Sequence, residues 1–275
     1  GREPFRFVAH GDTRTNHAAH QSVVNAILRA NPRFVTSTGD LVDDGRVTDD
    51  WNQFFRITHS LMLRVPYWPV LGNHEENSPH YYDHFVLPGV ERYYSFDYGT
   101  CHFVMLDSNN LSLVKQEEQE VPRKVLQEYL EARTNYWEKQ IKWLESDLEL
   151  HKDADFVFVS FHHPLYSSPE SDDRREEQRE LRKRFEPLLK RYRVTAVFSG
   201  HDHFYERNEV DGIHYIVTGG GGAPLDEFGE PLPSSVKRES VHHFVMVDIN
   251  DETASFTALT RDGRVIDAFE SRTRH

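Results

Sequence analysis

The stretch SGHDHFYER, Ser199 to Arg207, follows the apolar run VTAVF and sets the reading of the whole chain. Two imidazoles, His201 and His203, flank Asp202 directly behind Gly200, at the exit of a segment that has the composition of a buried strand. The same arrangement recurs upstream. FRFVAH runs into Gly11-Asp12, RFVTSTG into Asp40, YWPVLG into Asn73-His74, and DFVFVSF into His162-His163. Continuous Val/Phe runs of this kind suit strands covered on both faces. Open α/β sheets place their sites at the C-terminal ends of such strands. Each of these ends carries a hard oxygen or an imidazole nitrogen, four of the five right after a glycine that allows a sharp exit.

Helical periodicity fills the gaps. HQSVVNAILRAN places Val23, Val24, Ile27 and Leu28 on one stripe, and WNQFFRITHSLMLRV does the same with Phe54, Phe55, Ile57 and Leu61. A longer pattern carries Leu130, Trp137, Ile141, Leu144 and Leu148. The last third reads as strands, HYIVTGG, HHFVMVDIN, TASFTALT and RVIDAFE, joined by turns such as Asp262-Gly263 into an antiparallel meander. The acidic stretches 115–122 and 167–180 read as solvated loops and helix starts. No linker or repeat divides the 275 residues, so one domain, 1–275, is expected.

Composition narrows the function. The net charge of −13 argues against a general nucleic-acid binder. No stretch is apolar enough to span a bilayer. The single Cys101 lies in a strand-like run and reads as a buried thiol rather than a nucleophile. Seventeen histidines are the anomaly. The chain starts at Gly1 rather than Met, which fits a trimmed, exported protein with an extracytoplasmic location; a cytoplasmic one is the alternative.

The series Gly11-Asp12, Gly39-Asp40, Gly72-Asn73-His74-Glu75, His162-x-Pro164 and Gly200-His201-Asp202-His203 resembles the calcineurin-like metallophosphoesterase superfamily. Tyr205-Glu206-Arg207 and the later YIVTGGGGAPL are similar to its purple acid phosphatase-like branch. The resemblance implies an α/β fold, a four-layer α/β/β/α sandwich of two mixed β-sheets flanked by helices. It also implies a phosphoester hydrolase, acting on small-molecule monoesters, diesters or both through hydroxide formed on two metal ions. Asp40 matches the bridging position, Asp12 and His203 complete one metal, and Asn73, His162 and His201 the other. Carboxylate, amide oxygen and imidazole together suit Mn, Fe or Zn better than Ca.

Two positions depart from that pattern. Arg14 stands where many members have histidine, and Asp43 where the purple enzymes have a tyrosine ligand, so a purple protein is not expected. Asp43 and His10 are candidate substitute ligands. The alternatives are a helix-capping or supporting carboxylate for Asp43 and a packed, hydrogen-bonded ring for His10. His74 is the expected acid or phosphoryl donor. Arg14 either grips a phosphate oxygen or pairs with Asp43 or Asp44. His163 is either core or substrate-facing. His80 and His84 read as a surface turn near the cleft, His242 and His243 as structural, and the Thr218–Gly222 loop as a tight turn beside the site. A catalytically silent binding scaffold on the same fold is the competing reading, favoured only by Arg14. A lone structural zinc is disfavoured because such sites use clustered cysteines.

Overall fold

The computed structural model of the protein describes residues 3–109 and 123–274, with main chain alone over 123–133. The expected acidic stretch 115–122 and the side chain of Leu130 therefore lie outside the described residues.

One sheet is built from β1 (Phe5–His10), β2 (Phe34–Ser37), β3 (Tyr67–Pro69), β11 (His243–Ile249), β12 (Thr253–Thr260) and β13 (Val265–Arg272), in the order β13-β12-β11-β1-β2-β3. The other contains β4 (Tyr94–Tyr98), β5 (Cys101–Met105), β6 (Phe156–Ser160), β7 (Ala196–Ser199), β8 (Tyr205–Val210), β9 (Ile213–Thr218) and β10 (Ser235–Glu239), in the order β10-β8-β9-β7-β6-β5-β4. Both sheets are mixed. β1, β2 and β3 run parallel, as do β5, β6, β7 and β9.

The period-two alternation of each strand decides the layers. Phe7, Ala9 and Phe34 of the first sheet meet Phe103, Phe156, Phe158 and Phe198 of the second in a shared aromatic core. The intervening Val8 and Val35 point outward onto α1 (His17–Ala30) and α2 (Thr48–Met62). Val104, Val157 and Val159 point outward on the other side, onto α4 (Arg123–Leu150) and α5 (Asp172–Arg191). Phe/Val alternation is thus one hydrophobic residue for each of two cores, which explains why the strands read as continuous apolar runs. A short α3 (Pro79–His84) lies between β3 and β4.

Two expectations are corrected here. HYIVTGG is β9, which pairs parallel with β7 inside the second sheet; the antiparallel meander is β11-β12-β13 of the first. The segment with His80 and His84 is α3, not a turn: Pro79 at its start and the Ser78 hydroxyl accepting from His80 N begin the helix. Asp172–Arg191 starts at the expected acidic stretch, capped by Ser171.

The buried thiol of Cys101 is pushed up in pKa by burial, as expected for an inert core cysteine. Among the described residues no helix is long and apolar enough to cross a membrane.

His243 opens β11 edge-on to the Tyr205 ring, fully buried, with Nδ1 donating to Val241 O at 2.8 Å and Nε2 without a partner among the described residues. Burial, then His242, lowers its pKa to about 4. The unfolded chain takes up this proton near 6.5 and the folded one does not. Its contribution is therefore intact above pH 6.5 and is lost as the pH falls towards 4, at a cost of up to about 3 kcal/mol. Urea unfolding across this window should show His243→Gln with a shallower acid-side slope than the parent. An unchanged slope would assign the acid sensitivity to other groups.

Candidate metal centre

The C-terminal ends of the parallel strands of both sheets meet at one rim, and each functional side chain sits in the first residues past its strand. Three of those residues turn sharply: Asp12, Asp40 and His201 have φ of 56°, 52° and 68°, the left-handed region that non-glycine residues avoid. Such backbone is held only where its surroundings fix it. Here Asp12 N donates to Gly39 O, and both Asp12 oxygens accept from His201 N at 3.0 and 3.1 Å. Asp40 Oδ1 accepts from His74 N at 3.0 Å.

Glycine is required for close approach more than for φ. A Cβ on Gly72 would lie 2.1 Å from Asp40 Oδ1, and one on Gly200 2.1 Å from Asp12 Oδ2. Gly72→Ala is accordingly expected to displace the Asp40 carboxylate and remove bound metal while leaving the circular dichroism spectrum intact. Metal analysis of the purified variant checks this; an unchanged metal content would show that the carboxylate can yield without consequence.

The ring tautomers follow from their backbone partners. His162 Nδ1 lies 2.8 Å from Thr38 O, so it carries the hydrogen and leaves a lone pair on Nε2. That Nε2 faces Asn73 Oδ1 at 3.0 Å, Asp40 Oδ1 at 3.3 Å and His201 Nδ1 at 3.3 Å. His201 Nδ1 is 3.1 Å from the same Asn73 oxygen. His203 Nδ1 is likewise 2.7 Å from Pro224 O, turning Nε2 towards Asp12 Oδ1 at 3.6 Å. Lone pairs and carboxylate oxygens therefore converge with too few hydrogens between them. Asp12, Asp40 and His162 can each offer one atom within 4.8 Å of the others, and so can His162, His163 and His201. An acceptor cluster this buried calls for cations, and its mixed oxygen and imidazole donors fit a transition metal.

The electrostatics agree. Burial, then His163 and His162, pushes the pKa of His201 well down, so its ring is a neutral donor. Burial would raise Asp40, but His162, His74 and Arg14 outweigh it and hold the carboxyl below its usual range.

The remaining residues take definite places. His74 Nδ1 lies 2.5 Å from Asp43 O, which leaves its Nε2 3.9 Å from Asp40 Oδ2. Arg14 reaches both Asp40 Oδ2, at 3.4 Å, and Asp43 Oδ1, at 3.2 Å. Asp43 is 57% exposed and its carboxylate engages Arg14 and Thr15. His10 is fully buried and turned to Tyr67 OH at 3.1 Å. Neither Asp43 nor His10 is brought into the acceptor cluster. His163 is buried, its Nδ1 2.9 Å from Ser108 Oγ. Gly221 N donates to Gly11 O, which ties the Thr218–Gly222 loop to the rim.

Two supports escape sequence reasoning. Glu75 is wholly buried and accepts from Asp40 N at 3.0 Å, Leu41 N at 2.7 Å and Gly72 N, pinning both metal loops of the first sheet. Burial and the neighbouring Asp40 push its pKa up. Arg174 of α5 donates from one nitrogen to Asp202 Oδ1 at 2.7 Å and Asp226 Oδ2 at 2.8 Å, and Asp226 also accepts from His203 N.

A family model, calcineurin-like phosphoesterase, matches residues 5–205. The chain belongs to this family. It lies on the purple acid phosphatase-like branch, being 31% identical over 69% of its length to purple acid phosphatase 22 of Arabidopsis thaliana. Rattus norvegicus tartrate-resistant acid phosphatase type 5 is 25% identical over 94% of the chain and 88% of its own length. A solved purple acid phosphatase from yellow lupin seeds shares the fold, with a TM-score of 0.79 at 19% identity over 98% of the chain and 54% of that protein. The chain spans 45% of the length of the Arabidopsis protein. Membership in this family implies a dinuclear metal centre, and the rim holds candidate metal-ligand clusters.

Proposed function

We propose that the chain is a catalytic unit that hydrolyses phosphoesters of small molecules. Two cations drawn from Mn, Fe or Zn would be held by Asp12, Asp40 and His203 on one side and by Asp40, Asn73, His162 and His201 on the other. The observation that carries this reading is the set of buried oxygens and lone-pair nitrogens around Asp40 with too few hydrogens among them. Two metals, when bound in such a site, supply an acidified water and draw charge from the phosphoryl oxygens.

The chain's own groups do the rest. Asp40 offers one oxygen towards His162 and the other towards Arg14, so a single carboxylate can serve both cations. His74, held at Nδ1 by Asp43 O, presents Nε2 as the group that meets the leaving oxygen or a phosphoryl oxygen. Arg14 lies against the same Asp40 oxygen and supplies a planar donor for a phosphoryl oxygen. The net charge of −13 disfavours long polyanions such as nucleic acid and supports a small substrate.

The test strips the protein with chelator, restores Mn, Zn or Fe, and assays p-nitrophenyl phosphate beside bis-p-nitrophenyl phosphate. Turnover that returns with metal is the expected result. No turnover of either substrate with any metal would leave the binding-scaffold reading in its place.

A further inference from the structure

A second cluster lies at the opposite end of the second sheet, where the β4–β5 hairpin meets the last turn of α4. Asp97 and His102 are direct cross-strand partners, the facing helix contributes Asp147, and His151 follows just past the helix end. His102 is buried and its ring stacks on that of His151, with centroids 3.7 Å apart and planes within 10°. Two carboxylates cap the edges of this stack. Asp147 Oδ2 is 2.8 Å from His102 Nε2, while Asp97 Oδ1 is 2.7 Å from His102 Nδ1.

Hydrogen-bond partners decide which nitrogen of each ring would turn to a cation. Ser95 Oγ donates to Asp147 Oδ1, orienting that carboxylate to accept from His102 Nε2 and leave Nδ1 as the coordinating atom. His151 Nδ1 is 2.7 Å from Asp147 O, a carbonyl that can only accept, so the lone pair of this ring is on Nε2. Nε2 lies 3.7 Å from Asp97 Oδ2. Two imidazole lone pairs and one carboxylate therefore meet at Asp97, within 4.8 Å of one another. Asp97, 61% exposed, would exchange its bond to His102 Nδ1 for an ion, and His151, 29% exposed, would tilt off the stack to converge on it. A groove lined by Asp97, His151, Asp153 and Asp155 opens the cluster to solvent. Its acidic lining and the carbonyl end of α4 both favour positive charge.

We infer that Asp97, His102 and His151 form a separate site for a borderline divalent ion, zinc in the first instance, with Asp147 as the group that orients His102. Two imidazoles and a carboxylate select zinc over calcium or magnesium. The ion takes the place of the proton that His102 Nδ1 shares with Asp97, and that proton leaves to solvent. The bound ion staples the hairpin to α4 and stabilises the fold by mass action. The site shares no ligand with the rim centre and stands whether or not that centre is catalytic.

The experiment counts zinc equivalents by competition with a chromogenic chelator on the full chain, its His151→Ala and Asp97→Ala variants, and Asn73→Ala at the rim. Wild type should bind one equivalent more than either His151→Ala or Asp97→Ala, whose affinity at this site should fall at least about 100-fold. Asn73→Ala should keep that equivalent. Zinc should raise the melting temperature of the wild type more than that of the two variants, which tests the staple apart from the count. Equal zinc equivalents in wild type, His151→Ala and Asp97→Ala would overturn the site.

Discussion

Asp40→Asn is expected to lower phosphoester hydrolysis at least about 10³-fold and to reduce the bound metal from two equivalents to at most one. The reason is charge and not shape. Asparagine can still accept from His74 N, but it loses the negative charge that two cations would share. It also sets an amide nitrogen against His162 Nε2 or Arg14, whichever way it turns, and only the former can accept a hydrogen. The matching control is Asp43→Asn. Its carboxylate is largely exposed and bound to Arg14 and Thr15, so activity should stay within a few-fold of the parent. Metal analysis and steady-state rates on both variants decide the matter. Two equivalents retained by Asp40→Asn, or a collapse of Asp43→Asn to the same level, would reverse the roles given to these two residues.

That contrast marks how far the sequence carries the reading. The layers were legible because a strand between two cores must be apolar at every position, and the Phe/Val alternation of FVFVS reports this directly. The rim residues were legible because each follows its strand within a few positions, so local order and spatial order coincide. Glu75 was not, although it stands beside His74. Its partners are the backbone N–H groups of Gly72, Asp40 and Leu41, the latter two over thirty residues away, and main-chain donors leave no trace in residue type. Arg174 is harder still. It bridges Asp202 and Asp226 across 28 and 52 residues from a helix dense in charge, where nothing in residue type marks it out from its neighbours. The allotment of β9 to the second sheet is a matter of pairing, and two strands of like composition compete for it until the crossover is known.

Arg14 is where sequence and geometry together yield the sharpest quantitative expectation. Its guanidinium stands 3.4 Å from Asp40 Oδ2, the oxygen on the far side from His162, and its side chain is mostly buried. A cation seated against that oxygen and Asp12 must share it with a fixed positive charge. At about 4 Å and an effective dielectric near 20 the Coulomb cost is roughly 4 kcal/mol for each unit of the cation's charge, about 8 for a divalent ion, which part-exposure and rotation of Arg14 reduce to about 10²-fold in affinity. Among the described residues no guanidinium is in contact with Asn73, His162 or His201; Arg174 pairs with Asp202 and Asp226 and acts on His201 only through its field, so the two equivalents should differ in strength, the Asp12–His203 one being weaker. Arg14→Met removes the charge and keeps much of the length. It should tighten the weaker equivalent about 10²-fold in a manganese titration. If the same guanidinium also grips a phosphoryl oxygen, KM should rise in the variant even as metal loading improves, a split that simple damage to the rim would not produce. A weaker equivalent that binds no better in Arg14→Met would mean that the guanidinium leaves Asp40 whenever metal arrives, and its place in the site would then be that of a phosphate ligand alone.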